Sequence, residues 1–70
     1  MRRVNIERPN GEAYWFDTAY KNGVDIIREY IEERATEEGI DEFVSGVYTV
    51  HYDMGIAEEV EYTAPKFVLK

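Results

Sequence analysis

Two stretches of alternating apolar and polar residues, each interrupted by a turn, flank one stretch of helical period, and that order leaves few folds open to a chain of 70 residues. In the first stretch Val4, Ile6, Tyr14 and Phe16 alternate with polar neighbours around Pro9-Asn10-Gly11. Proline presets φ for the second position of a type I turn, and Gly11 accepts the left-handed conformation that closes a three-residue loop. The implied register sets Arg8 opposite Glu12, Ile6 opposite Tyr14 and Val4 opposite Phe16. On the other face Arg3 meets Asp17 and Asn5 meets Trp15. Opposite charges and apolar pairs thus fall into line together, as a stable hairpin requires.

Asn22-Gly23-Val24-Asp25 has the form of a helix start. Asn22 is the cap, and Asp25 sits in the first turn, where negative charge suits the dipole. An apolar stripe at Val24, Ile27, Ile31 and Ala35, widened by Ile26 and Tyr30, predicts a helix over 23–38. Gly39 is expected to end it in the αL conformation, with Ile40 folding back on Ala35.

The second hairpin sets Val44, Tyr48, Val50 and Tyr52 against Ile56, Val60, Tyr62 and Ala64 across Asp53-Met54-Gly55. Tyr52 then opposes Ile56, Val50 opposes Glu58, Tyr48 opposes Val60, and Gly46 opposes Tyr62, whose ring is expected to cover the glycine. Glu58 is the misfit on the apolar side. Ser45, Val47, Thr49 and His51 face Ala57, Glu59, Glu61 and Thr63 on the other side. Pro65 stops the pairing, and Phe67-Val68-Leu69 follows as a short strand or docking tail. The fold class is therefore α+β, in the order ββαββ, an antiparallel sheet of two hairpins packed on one helix in a single small domain spanning residues 1–70. The expected core is Val4, Ile6, Tyr14, Phe16, Val24, Ile27, Ile31, Ile40, Val44, Tyr48, Val50, Val60 and Tyr62.

Charge is distributed unevenly along this framework. Between Gly23 and Glu61 stand twelve carboxylates against Arg28 and Arg34 alone, a local balance of −10 within a net charge of −7. Such a field attracts basic partners and repels nucleic acid and anionic lipid. Direct nucleic-acid binding would need a basic patch, and only Arg2, Arg3, Arg8 and Lys21 could make one. No apolar run reaches the roughly 18 residues of a membrane span, and no signal-peptide pattern follows Met1. With no cysteine the chain needs no oxidising compartment. A cytoplasmic protein with no membrane partner is expected.

Catalytic chemistry has little to work with. Ser45 and His51 stand six residues apart on one strand, roughly 20 Å at about 3.3 Å per residue, too far for a nucleophile and its base. His51, Asp53, Glu59 and Glu61 form a row rather than a metal cage. No catalytic residue, metal site or cofactor is expected.

The candidate binding residues are acidic. Glu29, Glu33 and Glu37 recur every four residues, one row on the helix about 6 Å apart, and like charges at that spacing oppose helix formation. Glu37 and Glu38 also lie at the helix end where the dipole disfavours anions. Glu59 and Glu61 would extend the patch, and Trp15, turned to the outer sheet face with Phe43 and Val47, would supply an apolar anchor. The expected function is a small acidic binding module that inhibits or regulates a basic, nucleic-acid-handling protein by offering carboxylates in place of phosphates. In size, acidity and hairpin–helix–hairpin layout the chain looks like phage-encoded anti-restriction and anti-CRISPR proteins, a resemblance of class that assigns no residue a role. The alternative is an assembly protein that forms homodimers through its sheet edges and outer-face aromatics.

Overall fold

The Pro9-Asn10-Gly11 turn closes as the alternation requires. The Arg8 N–H donates to the Glu12 carbonyl (2.8 Å), the Gly11 N–H donates to the Arg8 carbonyl (2.9 Å), and Gly11 takes φ 89°. It joins β1 (Arg2–Glu7) to β2 (Ala13–Thr18), with Val4 opposite Phe16, Ile6 opposite Tyr14, Asn5 opposite Trp15 and Arg3 opposite Asp17. The structure, a computed structural model, describes residues 1–64. The expectations for Pro65 and Phe67–Leu69 lie outside the described residues.

Helix α1 (Gly23–Glu38) begins at Asn22, whose side chain accepts from the Asp25 N–H at 2.9 Å. Its end departs from the expected αL closure. Gly39 has φ 94° but ψ 141°, and Ile40–Glu42 follow as a 3₁₀ turn. That turn swings Phe43 inward, where it is buried, so Phe43 is a core residue and not part of the outer face.

The second hairpin keeps the predicted register. Strands β3 (Gly46–His51) and β4 (Ala57–Tyr62) pair Tyr48 with Val60, Val50 with Glu58 and Gly46 with Tyr62. Met54 and Gly55 both take positive φ in the turn, and the Tyr52 N–H donates to the Ile56 carbonyl at 2.7 Å. The two hairpins join through antiparallel β1 and β3, Ile6 against Val50, giving one sheet in the order β2-β1-β3-β4.

Helix α1 covers one face of this sheet. Its buried stripe is Gly23, Ile26, Ile27, Tyr30 and Ile31, rotated from the predicted one. Val24 is left 50% exposed as a result. Gly23 begins this stripe and lies so close to Glu58 that an added Cβ would meet its carboxyl carbon at 2.7 Å. Val44 precedes β3 and is 53% exposed, and Ile40 lies on the surface in the 3₁₀ turn, so neither belongs to the core. Tyr30 is the centre of the packing, edge-on to Phe16 (5.3 Å) and to Phe43 (6.0 Å). Such T-shaped pairs add about 0.5–1.5 kcal/mol each beyond the area they bury.

Glu58, the misfit on the apolar face, has a structural task. Its Oε1 accepts from the Gly23 N–H and from the Tyr52 hydroxyl, both at 2.9 Å. It satisfies a free amide at the helix N-terminus, where the dipole favours an anion. Burial and this carboxylate together raise the Tyr52 pKa. Glu58→Ala is expected to destabilise the fold by about 1.5 kcal/mol, lowering Tm by roughly 6–12 °C. Thermal melts of Glu58→Ala and Glu58→Gln check this, with Gln recovering part of the loss because it retains an acceptor.

Candidate partner-binding surface

The row of Glu29, Glu33 and Glu37 runs along the flank of α1 that overlies the β2 edge. Thr18, the last residue of β2, fixes its beginning by donating its hydroxyl to Glu29 Oε1 at 2.7 Å, while accepting from the Tyr20 N–H at 3.1 Å. One turn on, Glu33 shares a surface hollow with Arg34 from the helix and with Arg3, Trp15, Phe16 and Asp17 from the strands. Trp15 is 64% exposed, the register having turned it to the face opposite Phe16. Glu33 of the row is thus brought to the β2 edge at Trp15, whose ring faces away from the helix.

The nearby cations neutralise that side only in part. Arg3 is committed to Asp17 at 3.0 Å, which raises its own pKa and lowers that of Asp17. Arg34 lies over the Tyr30 ring, its Nη1 3.8 Å from Glu37, and its buried Nε has no hydrogen-bond partner. Arg28 is 3.5 Å from Asp25. Among the described residues Glu32 and Glu33 form no ion pair, and the last turn of α1 holds no base. Asp41 and Glu42 continue the negative charge past the helix end, so residues 23–42 carry eight acids and two bases, a balance of −6.

Glu38 is drawn out of this surface. Arg8 does not pair with the Glu12 side chain as the hairpin register suggests. Position 8 continues the inward row Val4–Ile6, so its side chain enters the core. There the guanidinium donates to the Tyr30 hydroxyl and to Glu38 Oε2, both at 2.9 Å, and lies over the rings of Tyr14 (4.2 Å) and Phe43 (4.6 Å). Burial alone would lower the Arg8 pKa, but the bonds to Glu38 and Tyr30 outweigh it and keep the group charged. The same hydrogen bond from Arg8 lowers the Glu38 pKa. Glu12 instead accepts from the Asn10 amide at 2.7 Å.

Glu59 and Glu61 lie elsewhere again. Val60 faces the helix, so its neighbours in β4 point to the uncovered sheet face. Strand β4 is also the opposite edge from β2. Three strand spacings of about 4.8 Å put it roughly 14 Å away. The seven candidate residues therefore divide into a row with its aromatic neighbour, one structural ion pair, and a separate strand edge. The periodicity of strand and helix could place each side chain on its own element, but not one element's face beside another's.

Neither Ser45 nor His51 is near the other's reactive atoms. Ser45 Oγ accepts from the Ala64 N–H at 2.8 Å, and His51 Nε2 lies 3.0 Å from Glu7 Oε1. Among the described residues no three histidine or carboxylate side chains converge as on a metal ion. None of the described helices is long and apolar enough to cross a membrane.

No protein-family model matches the chain, and neither a curated protein nor a solved structure gives a significant match.

Proposed function

We propose that this protein is a small binding module that regulates or inhibits a basic, nucleic-acid-handling partner, presenting the carboxylates of α1 where that partner would hold phosphates. The observation that carries this reading is the flank of α1 over β2. Glu29, Glu33 and Glu37 stand in line on the helix, Glu33 at the β2 edge that carries the exposed Trp15, with Arg3 paired to Asp17 and Arg34 to Glu37. A row of like charge that Arg34 relieves only at Glu37 opposes helix formation, and docking of a cationic groove would relieve the remaining repulsion. Trp15 would add the apolar contact that makes such an interface tight. The mode of action is then that of phage-encoded anti-restriction and anti-CRISPR proteins, with the protein acting in the cytoplasm.

The test is competitive capture. Immobilised protein is expected to retain basic nucleic-acid-binding proteins from host lysate at low salt and to release them when duplex DNA is added in excess. Glu33→Lys with Glu37→Lys is expected to weaken capture by about 30–100-fold, and wild-type affinity to fall about tenfold or more between low and high salt. Both positions are solvent-facing, so Tm should not fall. Capture that survives excess DNA and ignores the double substitution would overturn the reading.

Self-assembly is the second reading, supported by Trp15 and Val47 standing exposed on the uncovered sheet face. Light scattering separates the two: a salt-insensitive dimer abolished by Trp15→Ala favours assembly.

A further inference from the structure

An apolar hollow of about 340 Å³ lies between α1 and β4, lined by Val24, Ile27, Ile31 and Ile40 from one side and by Val60 and Tyr62 from the other. It adjoins a strand edge that pairs with no other strand among the described residues. Because the Tyr52 N–H donates to the Ile56 carbonyl, the alternation of an antiparallel ladder assigns the bonded pairs to Val50–Glu58, Tyr48–Val60 and Gly46–Tyr62. The N–H and C=O groups of Ala57, Glu59 and Glu61 therefore point away from β3, along the edge of the sheet. Their side chains lie on the uncovered face, opposite that of Val60. One edge thus offers an apolar hollow on one face and two carboxylates on the other. Among the described residues neither Glu59 nor Glu61 forms an ion pair.

We infer that β4 accepts a fifth strand from its partner, an extended segment in which apolar residues alternate with lysine or arginine. In an added strand successive side chains fall on opposite faces. One set would enter the hollow between α1 and β4, while the other would stand beside Glu59 and Glu61 as opposite-charge cross-strand pairs. Arg28 and Glu32 both line the hollow and offset each other, so the preference for a cationic segment rests on Glu59 and Glu61. The same charges disfavour a second copy, since β4 against β4 would set carboxylates of two chains together. The inference uses a different surface from the α1 row and shares with that reading only the positive charge of the partner.

The probe is a synthetic, end-blocked peptide of alternating lysine and valine, titrated into the full chain at low salt and followed by amide hydrogen exchange. Exchange is expected to slow at the outward amides of Glu59 and Glu61. Glu59→Lys with Glu61→Lys should weaken binding about tenfold. Val24→Lys, at an exposed position on the rim, should weaken it as well. Glu61→Pro removes only an outward N–H, which an edge strand tolerates, and should abolish binding with the fold intact by circular dichroism. Glu33→Lys with Glu37→Lys should leave peptide binding unchanged, so failure of strand addition and failure of the α1 reading are told apart. Equal binding of a glutamate–valine peptide, or protection at no outward amide of β4, overturns the inference. So does a dimer that protects these amides without peptide, which gives the edge to a second copy. Binding seen only after Phe67→Asp with Leu69→Asp gives it to the chain's own residues 66–70 and overturns it equally.

Discussion

Arg8→Ala is expected to remove about 4 kcal/mol of stability, enough to leave much of the protein unfolded near 37 °C. A domain of this length has roughly 4–10 kcal/mol in total. The loss has two sources of similar size. A long side chain packed among Tyr14, Tyr30 and Phe43 leaves a cavity when truncated, and the Tyr30 hydroxyl, buried in the core, loses its donor. Arg8→Met separates them, since methionine fills the space without donating, and should recover about half. Glu38→Ala probes the other side of the pair by leaving a guanidinium buried without its anion, the arrangement that costs most in a low-dielectric interior. Chemical denaturation of the three variants measures the series, and a change of less than about 1 kcal/mol for Arg8→Ala would refute a structural role for the pair.

This pair also sets a pH dependence. The folded-state pKa of Glu38 lies below its ordinary 4.5 because Arg8 donates to the carboxylate. A depressed carboxyl pKa contributes stability that is fully present above the unfolded value and is lost as pH falls through the folded one. Wild type should therefore lose stability on acidification below about pH 4.5 more steeply than Glu38→Gln, which has no proton to take up. Asp17 beside Arg3 shifts in the same direction, so the Glu38 contribution is read as the difference between the two melting curves.

Gly46→Ala is expected to destabilise the fold by about 3 kcal/mol, a large effect for the addition of one methyl group. Gly46 takes φ 151°, and a Cβ built there would stand 2.9 Å from both Cβ and Cγ of Pro9. The proline ring is rigid and sits in a turn held by the Arg8–Glu12 backbone bond, so the clash has little room to relax. Overpacking of this kind costs about 1–3 kcal/mol, and the unfavourable φ adds about 1 kcal/mol or more. Pro9→Gly removes the opposing atoms. Combined with Gly46→Ala it should recover about 1 kcal/mol or more relative to the sum of the single changes, a coupling that a double-mutant cycle reads directly. Additive losses would mean that Pro9 is not what excludes a side chain from position 46. The contact is a tertiary one, between the turn of the first hairpin and the first residue of β3. Tyr62, the residue opposite Gly46, instead sets its ring edge-on to Tyr48 at 5.6 Å.

Much of the fold was legible because local rules act within hydrogen-bonding distance along the chain. The turn residues Pro9-Asn10-Gly11 and Asp53-Met54-Gly55 set two registers, and alternation then assigned a face to each strand residue. Asn22 marked the start of the helix and Gly39 its end. The candidate surface was legible only within elements. The Glu29–Glu33–Glu37 row follows from helical period alone, and the outward turn of Trp15 follows from strand period alone. Their meeting depends on where the helix lies over the sheet, a matter of packing between segments distant in sequence. Phe43 shows the limit from the other side: it lies beyond the helix and before β3, where no period operates, and the 3₁₀ turn decided its burial.

By itself the sequence determined the elements, both hairpin registers, the helix span and the excess of negative charge between Gly23 and Glu61, because turn chemistry, capping and side-chain period are properties of neighbouring residues. Tertiary structure alone decided the strand order β2-β1-β3-β4, the rotation of α1 about its axis and the fate of individual charges. Arg8 went inward to Tyr30 and Glu38, and Glu58 went to the helix N-terminus, leaving Glu33, Glu59 and Glu61 facing solvent. Each of those outcomes turns on which buried polar groups lacked a partner and which side chain could reach them, and a charge on a periodic face carries no record of that until the elements are packed.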